Sequence, residues 1–185
     1  MDTEYEKDSL RDRLIVAGID ELATHSVENF SLRRVAAACG TSCAAPYRHF
    51  ENKERFLVEI LRYIEQQWEL LRDEVLRRWA GDARRCLVEL SMAYIRFTVA
   101  NPHYRRIMAA AGEEASDILG DAFSAFCRAH EIGAAAEKSL AFRLSALLHG
   151  TVYLIESGEL ANNESGFCEV RAAIRDLLAS HRKTE

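Results

Sequence analysis

Proline is nearly missing from this sequence, two residues in 185, and glycine occurs nine times. So few helix breakers disfavour a chain of short strands and turns and leave room for long helices. No C-x-x-C pair occurs. The five cysteines (Cys39, Cys43, Cys86, Cys127, Cys168) are odd in number, which excludes a complete disulfide framework and fits a reducing compartment. The six histidines are scattered, so no metal-ligand spacing is present and no metal is expected. A nucleophile motif, a glycine-rich phosphate loop and a carboxylate pair are all lacking, so neither an enzyme nor a cofactor is expected. No apolar run reaches membrane-spanning length; the apolar stretch Leu144 to Ile155 is bounded by Arg143 and Glu156. The first residues, MDTEYEKD, are acidic and contain no apolar core of a signal peptide, so a cytoplasmic location is expected.

Apolar side chains are plentiful, at 49%, and their spacing is helical. From Ser31 to Arg55 the chain reads as two short helices, a tight turn between them, and the start of a third. Leu32, Val35 and Ala36 share one face. Gly40 is a C′ stop, because glycine enters the left-handed region without a Cβ penalty. Thr41 or Ser42 is the expected N-cap of the next helix, Cys43 to Phe50, with Pro46 tolerated only because it falls in about the first turn. That helix carries small residues first and then Tyr47, Arg48 and His49, a pattern suited to the floor of a DNA major groove. The expected element is a helix-turn-helix.

The same residues resemble the DNA-binding signature of TetR/AcrR-type transcriptional regulators. The resemblance rests on Gly40-Thr41-Ser42, Tyr47-Arg48-His49-Phe50 and Asn52-Lys53-Glu54, and extends upstream through Leu14-Ile15, Ala17, Phe30 and Leu32. The sequence departs from the family pattern at Gly18, where a larger helix former is usual, and at Ser26, where glycine usually ends the first helix. The resemblance implies that Arg33 contacts a base or phosphate, that Cys43 and Ala44 face base edges, and that Ser42, Tyr47, His49 and Lys53 anchor phosphates. Arginine can read guanine bidentately, whereas hydroxyls, lysine and helix termini hold phosphates and set register. Phe50 reads as core. Further segments, Ala100 to Met108 and Leu148-His149-Gly150, resemble a subgroup with a WHG-type C-terminal domain. Its name-giving tryptophan is absent, with Ser145 about where it would lie.

Charge supports a DNA-facing head. The net charge is −5, yet Arg33, Arg34, Arg48, Lys53 and Arg55 against Glu51 and Glu54 leave Ser31–Arg55 at +3, and the rest at −8. A basic patch on an acidic body is the electrostatic footprint of a nucleic-acid binder. Arg34 and Arg48 therefore join the candidate DNA contacts. Cys39 and Cys43 are close enough in sequence to raise a redox alternative; the simpler reading packs Cys39 and turns Cys43 to the groove.

An all-α fold in two domains is expected: a DNA-binding head over residues 1–52 and a helical ligand-binding and dimerisation domain over residues 53–185. A first helix over 7–24 presents Leu10, Leu14, Ile15, Ile19 and Leu22. A long helix over 53–80 carries Leu57, Ile60, Leu61, Ile64, Trp68, Leu71 and Val75. The next spans 83–100, followed by Asn101-Pro102 as N-cap and N1 of a short helix to residue 110. Helices over 115–130, 134–157 and 167–180 complete the chain. The 134–157 segment is apolar on nearly every face and is expected to be buried all round. With the final helix it makes a candidate four-helix dimer interface, the alternative being closure of the monomer's own core.

A pocket for a small, largely apolar effector would be lined by Phe97, Met108, Phe123, Phe126, His149 and Tyr153, each of which reads more readily as plain core. His149, if buried in an apolar helix, needs a polar partner that a ligand could supply. The sequence therefore reads as a ligand-responsive regulator, most simply a repressor, binding a palindromic double-stranded DNA operator as a homodimer. The alternative is a helical adaptor whose helix-turn-helix binds protein.

Overall fold

A computed structural model describes residues 9–104, 107 and 119–180. Among these residues there are eight helices and no strand: α1 Leu10–Thr24, α2 Leu32–Ala38, α3 Pro46–His49, α4 Lys53–Arg78, α5 Ala83–Ala100, α6 Gly120–Ala129, α7 Ala134–Glu156 and α8 Glu164–Ala179. The expected start of the first helix at Lys7, residues 105, 106 and 108–110 of the expected 102–110 helix, and residues 115–118 of the 115–130 helix lie outside the described residues, while Pro102 and His103 form a turn. No described helix is long and apolar enough to cross a membrane.

Side-chain caps set most of the boundaries. Ser9, Asp82 and Asn163 accept from the amides of Asp12, Arg85 and Gly166 at 3.2, 2.9 and 3.1 Å, satisfying donors that a helix N-terminus leaves open. Asn163 thereby starts α8 at Glu164, three residues earlier than hydrophobic periodicity places it. Asn52 caps α4 through the Arg55 amide at 2.8 Å. The Asn101 side-chain amide donates back to the Phe97 carbonyl at 2.8 Å and closes α5.

The contacts divide the chain into two compact units, residues 1–67 with 102–115, and residues 68–101 with 116–185. In the first unit, Leu14, Ile15 and Leu22 of α1, Leu32, Val35 and Ala36 of α2, and Phe56, Leu57, Ile60, Leu61 and Ile64 of α4 are buried. Its packing thus extends past residue 52 into α4. Phe56 is the hub, 5.6 Å from the Phe30 ring and 4.4 Å edge-on to Phe50. Gly18 explains its departure from the family pattern here: a Cβ would lie 2.5 Å from the Phe56 ring and 2.7 Å from Ile60 Cδ1. The departure at Ser26 is explained by the exit of α1, where His25 is extended and no left-handed residue is required.

In the second unit α5 is central, touching α6, α7 and α8. Its Leu87, Leu90, Met92 and Ile95 are buried with Phe126, Leu140, Leu144, Leu148, Ile174 and Leu178. One expectation fails here: α7 is not buried all round. Leu140, Leu144, Leu148, Thr151, Val152 and Ile155 face the core, but Phe142 is 74% and Tyr153 65% exposed, with Leu154 also exposed. The sequence registers total apolarity, whereas the single chain supplies neighbours for only one side.

Candidate nucleic-acid interface

The turn between α2 and α3 is built from backbone bonds of a Schellman motif. The Gly40 amide donates to the Ala37 carbonyl and the Thr41 amide to the Ala36 carbonyl, each at 3.0 Å, with Gly40 at φ +65°. The expected C′ glycine is therefore in place. Ser31 accepts from the Arg34 amide and starts α2.

The recognition helix is shorter than expected. Regular helix begins at Pro46 rather than Cys43, and neither Thr41 nor Ser42 caps it with a side chain. Proline has no amide hydrogen to close a helical bond to the Ser42 carbonyl. That carbonyl takes the Ala45 amide at 2.9 Å instead, so Cys43, Ala44 and Ala45 form a tight turn leading into one helical turn. Ala45, Pro46 and Phe50 face the core, Phe50 as expected.

What remains outside is the candidate contact set. Arg33, Ser42, Cys43, Ala44, Tyr47, Arg48 and His49 are all exposed, Tyr47 by 59%. Among the described residues, no side-chain hydrogen bond or ion pair engages Arg33, Tyr47 or Arg48 (Arg34, by contrast, is engaged). Exposed cations, a phenol and an imidazole in one short stretch present donors with no competing acceptor among the described residues, as a phosphate-lined groove requires.

Two of the predicted contacts also have partners within the chain. The Arg34 guanidinium turns onto α1: its Nε donates to Glu21 at 2.6 Å, its terminal nitrogen pairs with the same carboxylate, and the Asn29 carbonyl accepts at 2.6 Å. Lys53 is half-buried; its ammonium donates to the Glu28 carbonyl at 3.1 Å and lies 6.0 Å over the Phe30 ring. Each therefore ties the loop between α1 and α2 to its surroundings.

Sequence reasoning missed the residues that hold the reading segment. Arg13 of α1 donates to the Cys39 carbonyl at 2.8 Å, while the Cys39 thiol donates back to the Arg13 carbonyl at 3.4 Å. Burial pushes the Cys39 thiol up, partly offset by the Arg13 charge, so it persists as a neutral donor rather than a thiolate. Arg11 pairs with Glu59 of α4 and lies 5.6 Å over the Phe50 ring. These partners are separated by 26 to 48 residues, and no local spacing announces them.

The candidate pocket residues differ in burial. Phe97 and Phe123 are half-buried and Phe126 fully buried, whereas His149 and Tyr153 are exposed; Met108 lies outside the described residues. His149 is thus not the buried imidazole expected. Its Nδ1 lies 2.9 Å from the Ser145 carbonyl and its Nε2 3.3 Å from the Tyr94 hydroxyl. A carbonyl only accepts, so Nδ1 carries the hydrogen of the neutral ring and Nε2 accepts from Tyr94. Through Tyr94 a row of rings runs inward: Tyr94 is 6.0 Å from Trp68, which is 5.3 Å from Phe97. Among the described residues no cluster of three potential metal ligands occurs.

Comparison with known proteins agrees with this geometry. Residues 14–60 match the sequence profile of the bacterial regulatory proteins of the tetR family. No curated protein matches the chain. Among solved structures, a protein of unknown function from Rhodococcus sp. RHA1 is similar at TM-score 0.72 and 22% identity, over 97% of this chain and 98% of that one. A putative TetR-family transcriptional regulator from Rhodococcus sp. is similar at TM-score 0.63 and 20% identity, over 91% and 97%. A TetR variant from Acinetobacter baumannii AYE in complex with minocycline is similar at TM-score 0.57 and 17% identity, over 90% and 93%. At such identities the likeness is one of fold, a helix-turn-helix head with a helical C-terminal part. Over residues 14–60 the chain is thus similar to the tetR family of bacterial regulatory proteins, and its helix-turn-helix lies within that match.

Proposed function

We propose that the protein is a ligand-responsive repressor that binds a palindromic operator as a homodimer and is released by a small, largely apolar effector. The observation that carries the reading is the exposed set Arg33, Ser42, Cys43, Ala44, Tyr47, Arg48 and His49 around the α2–α3 turn. In this reading Arg33, Cys43 and Ala44 meet base edges, and Ser42, Tyr47, Arg48 and His49 meet phosphates, with Lys53 adding its charge while it clamps Glu28. Arg34 contributes field rather than contact, since its guanidinium is already satisfied.

A single reading segment covers only a few base pairs. Two related by a two-fold read successive major grooves, with centres one helical turn, about 34–36 Å, or a multiple of it apart. The exposed face of α7 supports a dimer: Phe142, Ala146, His149, Gly150 and Tyr153 recur at helical spacing, large rings flanking small residues that permit close approach. α8, with exposed Ala172 and Ala173, would complete the four-helix contact. The domain division follows the same logic, with residues 1–52 carrying the DNA head and 53–185 carrying effector binding and dimerisation. α4 is one continuous helix from Lys53 to Arg78, so a tilt imposed on it would change the separation of the two reading segments. An effector shifts that equilibrium only by binding the released geometry more tightly. A fold neighbour binds minocycline, so this architecture can accommodate a small molecule.

The test is selection of duplex fragments by the purified protein, followed by sequencing. A two-fold motif with half-sites about one helical turn apart supports the reading. Recovery of no motif, with binding to a protein partner that ignores salt, would replace it with the adaptor.

A further inference from the structure

Buried polar groups in folded proteins almost always have hydrogen-bond partners, so each exception needs a physical explanation. Two exceptions fall in the second compact unit. Trp68 is 4% and Thr98 3% exposed, and neither the indole Nε1 nor the Thr98 hydroxyl has a partner. Their neighbours show how easily such groups are satisfied. Ser91, equally buried on α5, donates to the Leu87 carbonyl one turn back at 2.7 Å. Thr98 has the Tyr94 carbonyl at the same offset and does not bond to it. Tyr94, whose ring touches Trp68, is already engaged through its hydroxyl with His149. Thr98 lies four residues from Tyr94, hence one turn farther along the same stripe of α5.

We propose that Trp68 and Thr98 form the polar subsite for the effector, and that the effector is a neutral, largely aromatic molecule bearing a hydrogen-bond acceptor. The inference rests on the reading of this helical part as effector-binding. Its chemistry follows from what the subsite offers. An indole nitrogen donates and never accepts, so the ligand must bring the lone pair. Trp68, Tyr94 and Phe97 meet at ring separations of 5.3 to 6.0 Å and supply an aromatic surface. Among the described residues no ion pair or cation–π contact reaches Trp68, Tyr94 or Thr98. A carboxylate buried there would be an unpaired charge, whereas a ketone, ester, amide or ether carries its acceptor without that penalty. The Thr98 hydroxyl can donate to the same acceptor or receive a second donor.

Acetophenone and ethylbenzene, which differ by a carbonyl in place of a methylene, test this on the full-length protein. Indole nitrogens are labelled with 15N, and the Trp68 signal is identified with Trp79→Phe, which leaves one tryptophan. The ketone should move the Trp68 Nε1–H resonance downfield and the hydrocarbon should not. The ketone-to-hydrocarbon affinity ratio should fall roughly five- to tenfold in Trp68→Phe, the value of one neutral hydrogen bond. Taking the ratio cancels the intrinsic hydrophobicity of the two compounds. Thr98→Val, which keeps the shape and removes the hydroxyl, should lower the ratio too and raise the melting temperature of the unliganded protein.

A ratio unchanged in Trp68→Phe overturns the proposal. So does a Trp68 signal indifferent to the ketone but in contact with a bound water, which would make the site a structural water only. Operator release by compounds that leave the Trp68 signal unmoved would keep the effector reading and remove this subsite. Binding at Trp68 without operator release would do the reverse.

Discussion

Gly18→Ala is the sharpest probe of how the head is packed. In an isolated helix the substitution would stabilise by about 1 kcal/mol, because glycine loses more backbone freedom on folding than alanine. Here the added methyl would lie 2.5 Å from Phe56 Cε1 and 2.7 Å from Ile60 Cδ1, inside contact distance for both. The Ile60 terminus can rotate. The Phe56 ring cannot, since it is fully buried between Phe30 at 5.6 Å and Phe50 at 4.4 Å. Overpacking of this kind costs about 1–3 kcal/mol. The net effect should be a loss of roughly 0.5–2 kcal/mol, read as a lower urea midpoint at unchanged slope. Phe50 closes α3, so a displaced Phe56 should also weaken DNA binding. Adding Phe56→Leu should make the second substitution less costly in the Gly18→Ala background than alone, a coupling that isolates the clash. A Gly18→Ala protein as stable as wild type or more so would refute the close approach of α1 to α4.

Further outcomes follow from the same geometry. Glu21→Ala should lower stability by about 1 kcal/mol in urea titration, because the half-exposed Arg34 loses its carboxylate partner. Native alkylation followed by mass spectrometry should modify the exposed Cys43 first, and spare Cys86, Cys127 and Cys39, whose thiols burial pushes up. Phe142→Glu changes a residue 74% exposed in the single chain, so helix content should hold while sedimentation shifts from dimer to monomer and operator binding weakens. An intact dimer for that variant would move the interface elsewhere.

Where sequence could be read, local chemistry was the reason. Gly40 announces a left-handed residue, and the Schellman bonds around it follow from that one fact. Residues 83–100 carry an unbroken apolar stripe, and α5 spans those residues. The family resemblance and the exposed set from Arg33 to His49 were legible for the same reason, since their types and spacing lie within one short segment. Other features depend on partners remote in sequence. Nothing near Arg34 or Lys53 signals Glu21, Asn29 or Glu28, since charge points Arg34, and the family resemblance Lys53, to DNA alone. Periodicity also cannot tell a helix buried in its own chain from one awaiting a second chain, which is why α7 looked wholly buried. His149 misled similarly: an apolar neighbourhood in sequence proved to be a helix flank where Ser145 and Tyr94 already satisfy the ring.

The central claim is that the free cations of the α2–α3 surface, and not simply its positive charge, bind DNA. Anisotropy titration of one labelled operator duplex between about 50 and 200 mM salt tests it with two arginines. Each phosphate neutralised contributes about −0.9 to the slope of log affinity against log salt. Arg48 is exposed and unengaged, so Arg48→Ala should flatten the slope by about that amount. Arg34 is bound by Glu21 and Asn29, so Arg34→Ala, compared at temperatures where the head stays folded, should leave the slope unchanged. Equal flattening by both variants, or by neither, would contradict the account.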